Sequence, residues 1–169
     1  MARIPVFYSF HYGSDVFRVQ QIRNMGITDG EEPVSPNEWE KLRQRGARAI
    51  EAWIDENMRY KRCVVVLIGE HTAARPWVQY EIRRAWNLGK GLVGIYIHDL
   101  KCMRTRATCS KGPNPFSSIK TDKGWALSTW LTVHSPWFDA YDEIKSNLAD
   151  WVEAAVQQSK VRFEWMGRT

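Results

Sequence analysis

The sequence predicts an α/β fold with a mostly parallel central sheet. Three observations carry that expectation. "CVVVLIG", residues 63–69, is an unbroken β-branched run with no polar alternation, so both faces of that strand are buried. "GLVGIYI", residues 91–97, repeats the pattern. Between them lies a segment whose apolar residues recur at helical spacing, and strands alternating with helices give parallel sheets.

The elements follow in order. "RIPVFYSF" is apolar and ends in polar "HYGSD", placing a first strand at about residues 4–10. Residues 14–24 read as a helix with Phe17, Val19 and Ile22 toward the core. "MGITDGEEPVSPNE" is a run of turn formers. Ser35, Pro36 and Glu38 form a capping-box pattern opening a helix that continues to about Met58, with Trp39, Leu42, Ala49, Ile50, Trp53 and Ile54 on one side. After the strand at 63–69, Pro76 suits the first position of the next helix and Gly89 and Gly91 end it. The strand at 91–97 leads into a loop, "WALSTWLTV" at 125–133 reads as an edge strand, and Ser135 and Pro136 cap a last helix over 136–158 with Trp137, Tyr141, Ile144, Leu148, Trp151 and Ala155 at spacings of three and four. No repeat or domain boundary interrupts the 169 residues, which read as a single domain, 1–169.

The helix after Pro76 contains one misfit. Trp77, Val78, Ile82, Ala85 and Leu88 form an apolar arc, with Gln79, Tyr80, Arg83 and Asn87 opposite, and Glu81 falls inside the arc. A buried, unpaired carboxylate costs several kcal/mol, so Glu81 either pairs with an Arg or faces a cavity. Right-handed crossovers gather all strand C-termini at one edge, where ligands bind in such folds. The second turn of this helix lies at that edge. Three strands there exit into Ser9-Phe10-His11-Tyr12, Gly69-Glu70-His71-Thr72 and His98-Asp99. Aromatic and polar side chains suit a nucleotide pocket better than a metal, for which the supporting carboxylate spacing is missing, and no metal site is expected. Each His also reads simply as a polar residue ending a strand.

Composition narrows the classes. Apolar residues are 44% and charged residues 25%, ordinary for a globular protein, and nine Trp offer large stacking surfaces. Three Cys in no zinc spacing suggest a reduced intracellular protein, and there is no signal peptide or membrane-span pattern, so a cytoplasmic location is expected. The net charge is +5, and residues 101–123 alone hold six Lys or Arg against one Asp. This basic loop insertion, 98–124, reads either as a site for an anionic partner or as a solvated loop. Nucleic acid is the less favoured partner, because residues 101–115 have no aromatic residue to interleave with bases. "GKGLVG" ends a helix and opens a strand, the reverse of a phosphate-binding glycine loop, and no G-x-S-x-G elbow is present.

"VFYSFHYGSDVFRVQQIRN", "VVVLIGEHTAARPWVQYEI", "GKGLVGIYIHDLK" and "SKGPNPF" together resemble the TIR-like proteins of Thoeris anti-phage defence, the ThsB-type B components, in order through residues 5–116. The resemblance implies a TIR/flavodoxin-like three-layer fold, cleavage of NAD at the nicotinamide–ribose bond, and a cyclic ADP-ribose isomer as a diffusible messenger for a separate effector protein. It implies NAD as substrate with no resident cofactor. Glu81 matches the catalytic residue of the family's W-x-x-x-E helix, four residues after Trp77. Ser9, Phe10, His11 and Tyr12 match its pocket loop, and "GPNPF" matches a loop without assigned chemistry. His71 and Trp77 join the expected substrate contacts. Arg104, Arg106 and Lys111 are expected near the pyrophosphate, because forked guanidinium groups suit phosphates. Self-association is a further expectation. The rival readings are a TIR interaction module without catalysis and a sensor that binds a nucleotide without cleaving it.

Overall fold

The computed structural model describes residues 3–30 and 35–166. Strand β1 (Pro5–Ser9) is followed by α1 (Tyr12–Asn24), β2 (Asp29–Gly30), α2 (Pro36–Gln44), α3 (Ala47–Met58), β3 (Cys63–Ile68), α4 (Pro76–Asn87), β4 (Gly91–Tyr96), β5 (Val133–His134) and α5 (Ala140–Met166). All five strands are parallel, in the order β2-β1-β3-β4-β5. Every residue of β3 and β4 is buried, as their unbroken apolar runs require. The sheet divides two cores. One holds Ile50, Ile54, Val78, Ile82 and Phe116 beneath α3 and α4; the other holds Val19, Ile22, Ile144, Leu148 and Val152 beneath α1 and α5. This is the three-layer arrangement expected for a TIR-like α/β fold. The side on which successive strands are added reverses between β1 and β3, which makes their C-terminal ends the switch point.

Several expectations are corrected. The long helix to Met58 is two helices, because Gly46 takes φ +94° between α2 and α3 and breaks the hydrogen-bond ladder. Helical spacing carried across that glycine unchanged. The capping box is present: Ser35 N donates to Glu38 Oε2 at 2.9 Å and Glu38 N donates to Ser35 Oγ at 3.3 Å. The two-residue β2 lies inside the turn-rich stretch, where it has no hydrophobic signature. Residues 125–133 are not a strand. Leu127–Thr129 form a 3₁₀ turn that buries Leu127, and pairing with β4 begins only at Val133. The last helix begins at Ala140 and runs to Met166, with Asp139 Oδ1 accepting from Asp142 N at 3.3 Å in place of a Ser135 cap. Trp137 therefore precedes the helix and is 73% exposed. Phe17 and Leu88 are also exposed rather than core-facing. Among the described residues no helix is long and apolar enough to cross a membrane.

Candidate active site

A cavity of about 520 Å³ runs along β1 to the C-terminal edge of the sheet. Phe7 and Tyr8 of β1 line the cavity. The far wall comes from Trp39 and Arg43 of α2 and from Trp53 and Asn57 of α3. The two indoles meet edge to face at 6.4 Å.

The loop after β3 sets where α4 begins. Gly69 N donates to the Thr72 hydroxyl at 2.8 Å, and Thr72 is fully buried. A 3₁₀ turn follows, Thr72–Ala74, and the Gln79 amide donates back to Ala73 O at 2.9 Å. Pro76 then opens α4, so its second turn brings Glu81 to the cavity. Val78, Ile82 and Ala85 anchor the helix in the core on either side. Ser9, the buried last residue of β1, donates its hydroxyl to Glu81 Oε2. The Glu81 side chain is half-buried and has no Arg or Lys partner among the described residues. Burial pushes its carboxyl up to about 8, against the lowering effect of the Ser9 hydrogen bond. The misfit on the apolar arc is thus resolved: the group faces a cavity and is mostly neutral at pH 7.

The loop after β1 forms the near wall. Phe10 and Tyr12 stack at 6.1 Å between ring centres, and both line the cavity with His11. His11 Nδ1 is enclosed without a hydrogen-bond partner. Burial lowers its pKa, and the nearby Arg75 and His71 lower it further, so the imidazole is neutral at pH 7. Trp77 lines the cavity and packs edge to face on Tyr80 at 5.8 Å.

The structure therefore gathers Phe10, His11, Tyr12, Trp77 and Glu81 around one space, with Ser9 directly behind the carboxyl. It does not gather the rest. His71 is exposed and turned toward Glu70, with 4.0 Å between Nε2 and Oε2. Arg104, Arg106 and Lys111 lie outside the cavity wall. Their loop is held against α1, on the opposite side of the sheet from α4: Arg18 Nε donates to Leu100 O at 2.7 Å, Arg18 Nη2 to Ala107 O at 3.0 Å, and the Gln21 amide to Lys101 O at 2.7 Å. Lys111 sits over the Tyr96 ring at 4.4 Å. The cations that do line the cavity include Arg43 and Arg75. Sequence reading missed them, along with the cavity-facing role of Trp39 and Trp53, because helical spacing separates inside from outside but not core from cavity. Arg75 had a legible signal: a cation directly before the proline that opens the Glu81 helix.

Two other features explain motifs left without a role. Arg18 pairs with buried Asp15 at 3.3 Å, and the Asp15 carboxylate fills the space a Cβ at Gly69 would need. In "GPNPF", Gly112 passes so close to the backbone oxygens of Gly69 and Glu70 that a Cβ there would lie 2.3 Å from Gly69 O. Asn114 Oδ1 accepts from Phe116 N at 2.9 Å, seating Phe116 in the core. The segment braces the loop leading to α4.

Residues 7–102, more than half of the chain, match the family described as Thoeris protein ThsB, TIR-like domain. The chain belongs to this ThsB TIR-like family. The matched span runs from β1 past β4 and includes Ser9, the Phe10–Tyr12 loop, Trp77 and Glu81. A Bacillus cereus (strain MSX-D12) protein named as a candidate cyclic ADP-D-ribose synthase, ThsB1, is 34% identical over 119 residues, which cover 68% of this chain and 62% of the relative. The ThsB-type chain thus spans less than two thirds of that relative's length.

Proposed function

We propose that this ThsB-type protein cleaves NAD at the nicotinamide–ribose bond and cyclises the ADP-ribose moiety, yielding a messenger for a separate effector in anti-phage defence. One observation carries the reading: a carboxyl without a cationic partner among the described residues, Glu81, oriented by the Ser9 hydroxyl at a cavity by the C-terminal end of β1. The name of the Bacillus cereus relative, a cyclic ADP-D-ribose synthase, supports the same reaction class.

The chemistry suits this site. Nicotinamide is cationic in NAD. When the C1′–N bond breaks, its electron pair goes to the ring nitrogen and nicotinamide leaves neutral, so no general acid is required. The ribose is left oxocarbenium-like, and an anion beside it stabilises that charge. Glu81 becomes that anion when the cationic substrate enters, since a nearby positive charge favours the ionised form. The second nucleophile comes from the adenosine half of the same molecule. Its attack on C1′ forms the new bond and passes its proton to the Glu81 carboxylate, provided water is kept out. Trp39, Trp53, Trp77, Phe10 and Tyr12 supply the apolar wall for that purpose. Neutral His11 offers a ring nitrogen to a ribose or amide hydrogen, and Arg43 and Arg75 take the pyrophosphate in place of Arg104, Arg106 and Lys111. NAD enters as substrate, with no resident cofactor, and the setting is the cytoplasm.

The test is to incubate purified protein with NAD and follow nicotinamide release and nucleotide products by chromatography. The reading expects nicotinamide and a cyclic product from the wild type, and loss of both with Glu81→Gln. Nicotinamide release by folded Glu81→Gln at the wild-type rate overturns it. NAD binding without any cleavage, in infected-cell lysate as well as buffer, selects the sensor instead.

A further inference from the structure

A second cavity, about 740 Å³, lies at the other end of α4 from Glu81. It is bounded by the last turn of α4, the C-terminal turns of α5 and the segment before the 3₁₀ turn at Leu127. Its size is that of a small-molecule pocket. Four indoles line it: Trp86, Trp125, Trp130 and Trp165. Trp125 and Trp165 are 60% and 67% exposed, which leaves their flat aromatic faces open to a ligand. Four cations share the lining, Arg83, Lys120, Lys123 and Arg162, against one carboxylate, Asp122.

Arg162 decides the sign of the ligand. Its guanidinium stacks on the Trp86 ring at 4.0 Å, and Nη2 donates to Lys90 O at 3.0 Å. Its Nε is enclosed without a partner, and among the described residues no carboxylate pairs with it. Burial lowers its pKa to about 10. A cation withdrawn from water without a counterion is unfavourable, and a bound anion relieves it. The wall that carries Lys123 and Trp125 is a built turn. Gly124, at φ +85°, donates to Thr121 O at 2.9 Å, Thr121 N donates to Trp125 O at 2.8 Å, and Lys120 bridges Ala126 in antiparallel fashion.

We propose that this cavity is a second binding site, for a nucleoside phosphate whose base stacks on the indoles and whose phosphate meets the Arg and Lys cluster. Flat aromatic faces select the base, and the cations select the phosphate. The site is independent of the reading of the first cavity, and the outcome here leaves that reading untouched.

The experiment titrates the full-length protein with AMP, adenosine and inorganic phosphate by calorimetry. Saturable AMP binding is expected, with adenosine and phosphate each at least about tenfold weaker, since stacking and charge each contribute on that order. Trp125→Ala and Lys123→Glu change exposed positions and leave the fold intact by circular dichroism. Each is expected to weaken AMP about tenfold, while Arg104→Ala, outside both cavities, leaves AMP binding unchanged. Absence of saturable AMP binding overturns the proposal. So does AMP binding that survives both second-cavity substitutions, or phosphate binding as tightly as AMP. A ten-nucleotide single strand binding a hundredfold tighter than AMP replaces the mononucleotide with nucleic acid.

Discussion

In the proposed reaction Glu81 combines a neutral resting state with a role that needs charge. With its carboxyl at about 8, the free protein holds a proton there at pH 7, and substrate must displace it. Nicotinamide release measured at low NAD should therefore rise with pH, reach half its plateau near 8 and level off about a unit above it, with Glu81→Gln lower by roughly 10²–10³ on the plateau. Ser9 tunes this value, because its hydrogen bond is the one effect that lowers it. Ser9→Ala should shift the rising limb to higher pH while keeping the plateau rate within a few-fold. An unshifted profile in that variant would show that the hydroxyl does not act on the carboxyl. The anomaly itself was legible in the sequence, since a carboxylate inside an apolar arc requires an explanation. Its solution was not, because whether the arc meets an Arg or an empty space depends on α2 and α3, which are far away along the chain.

At the scale of elements, the sequence spoke most clearly where burial is complete. β3 and β4 matched their apolar runs, and α4 matched its proline start. It misled where one residue redirects the backbone, at Gly46, or where a short segment borrows its stability from a neighbour, as β2 and β5 do. The basic loop shows the same limit. Leaving a strand at the ligand edge suggested proximity to substrate, but Arg18 draws the loop across to α1. The consequence for activity is a reversal of the first expectation. Arg75→Ala should raise the NAD concentration needed for half-maximal nicotinamide release by about tenfold, the worth of one charge-assisted contact of about 1.4 kcal/mol. Arg104→Ala with Arg106→Ala should change it by less than about twofold. Michaelis curves for the two variants under the same salt conditions decide the matter.

For the whole molecule, buried titratable groups make stability depend on pH in a definite sense. Glu81 is raised from 4.5 to about 8, so its contribution is fully present below 4.5, declines as pH rises, and is gone above 8. Asp15, raised by burial against the pull of Arg18, acts in the same direction. His11 and His134, both lowered from 6.5 by burial, act oppositely and destabilise as pH falls below that value. Between pH 6.5 and 8 the histidine effect fades as the unfolded chain loses its imidazole protons, and the Glu81 effect dominates. Over that interval the unfolding free energy should fall by about 2 kcal/mol, at about 1.4 kcal/mol per unit, and Glu81→Gln should remove most of the fall. Urea titrations at the two pH values measure it. The loop after β4 has a different consequence. Cys109 N donates to His98 O at 3.0 Å and Cys102 N to Ala107 O at 2.9 Å, so the excursion closes on itself before the chain continues. Its exposed tip, Arg104–Thr105, is decoupled from both cavities and makes a natural port for cargo. A short epitope or fluorogenic peptide spliced between those two residues should leave the melting temperature within a few degrees and nicotinamide release unchanged, giving a tagged protein that can be followed in living cells during phage challenge.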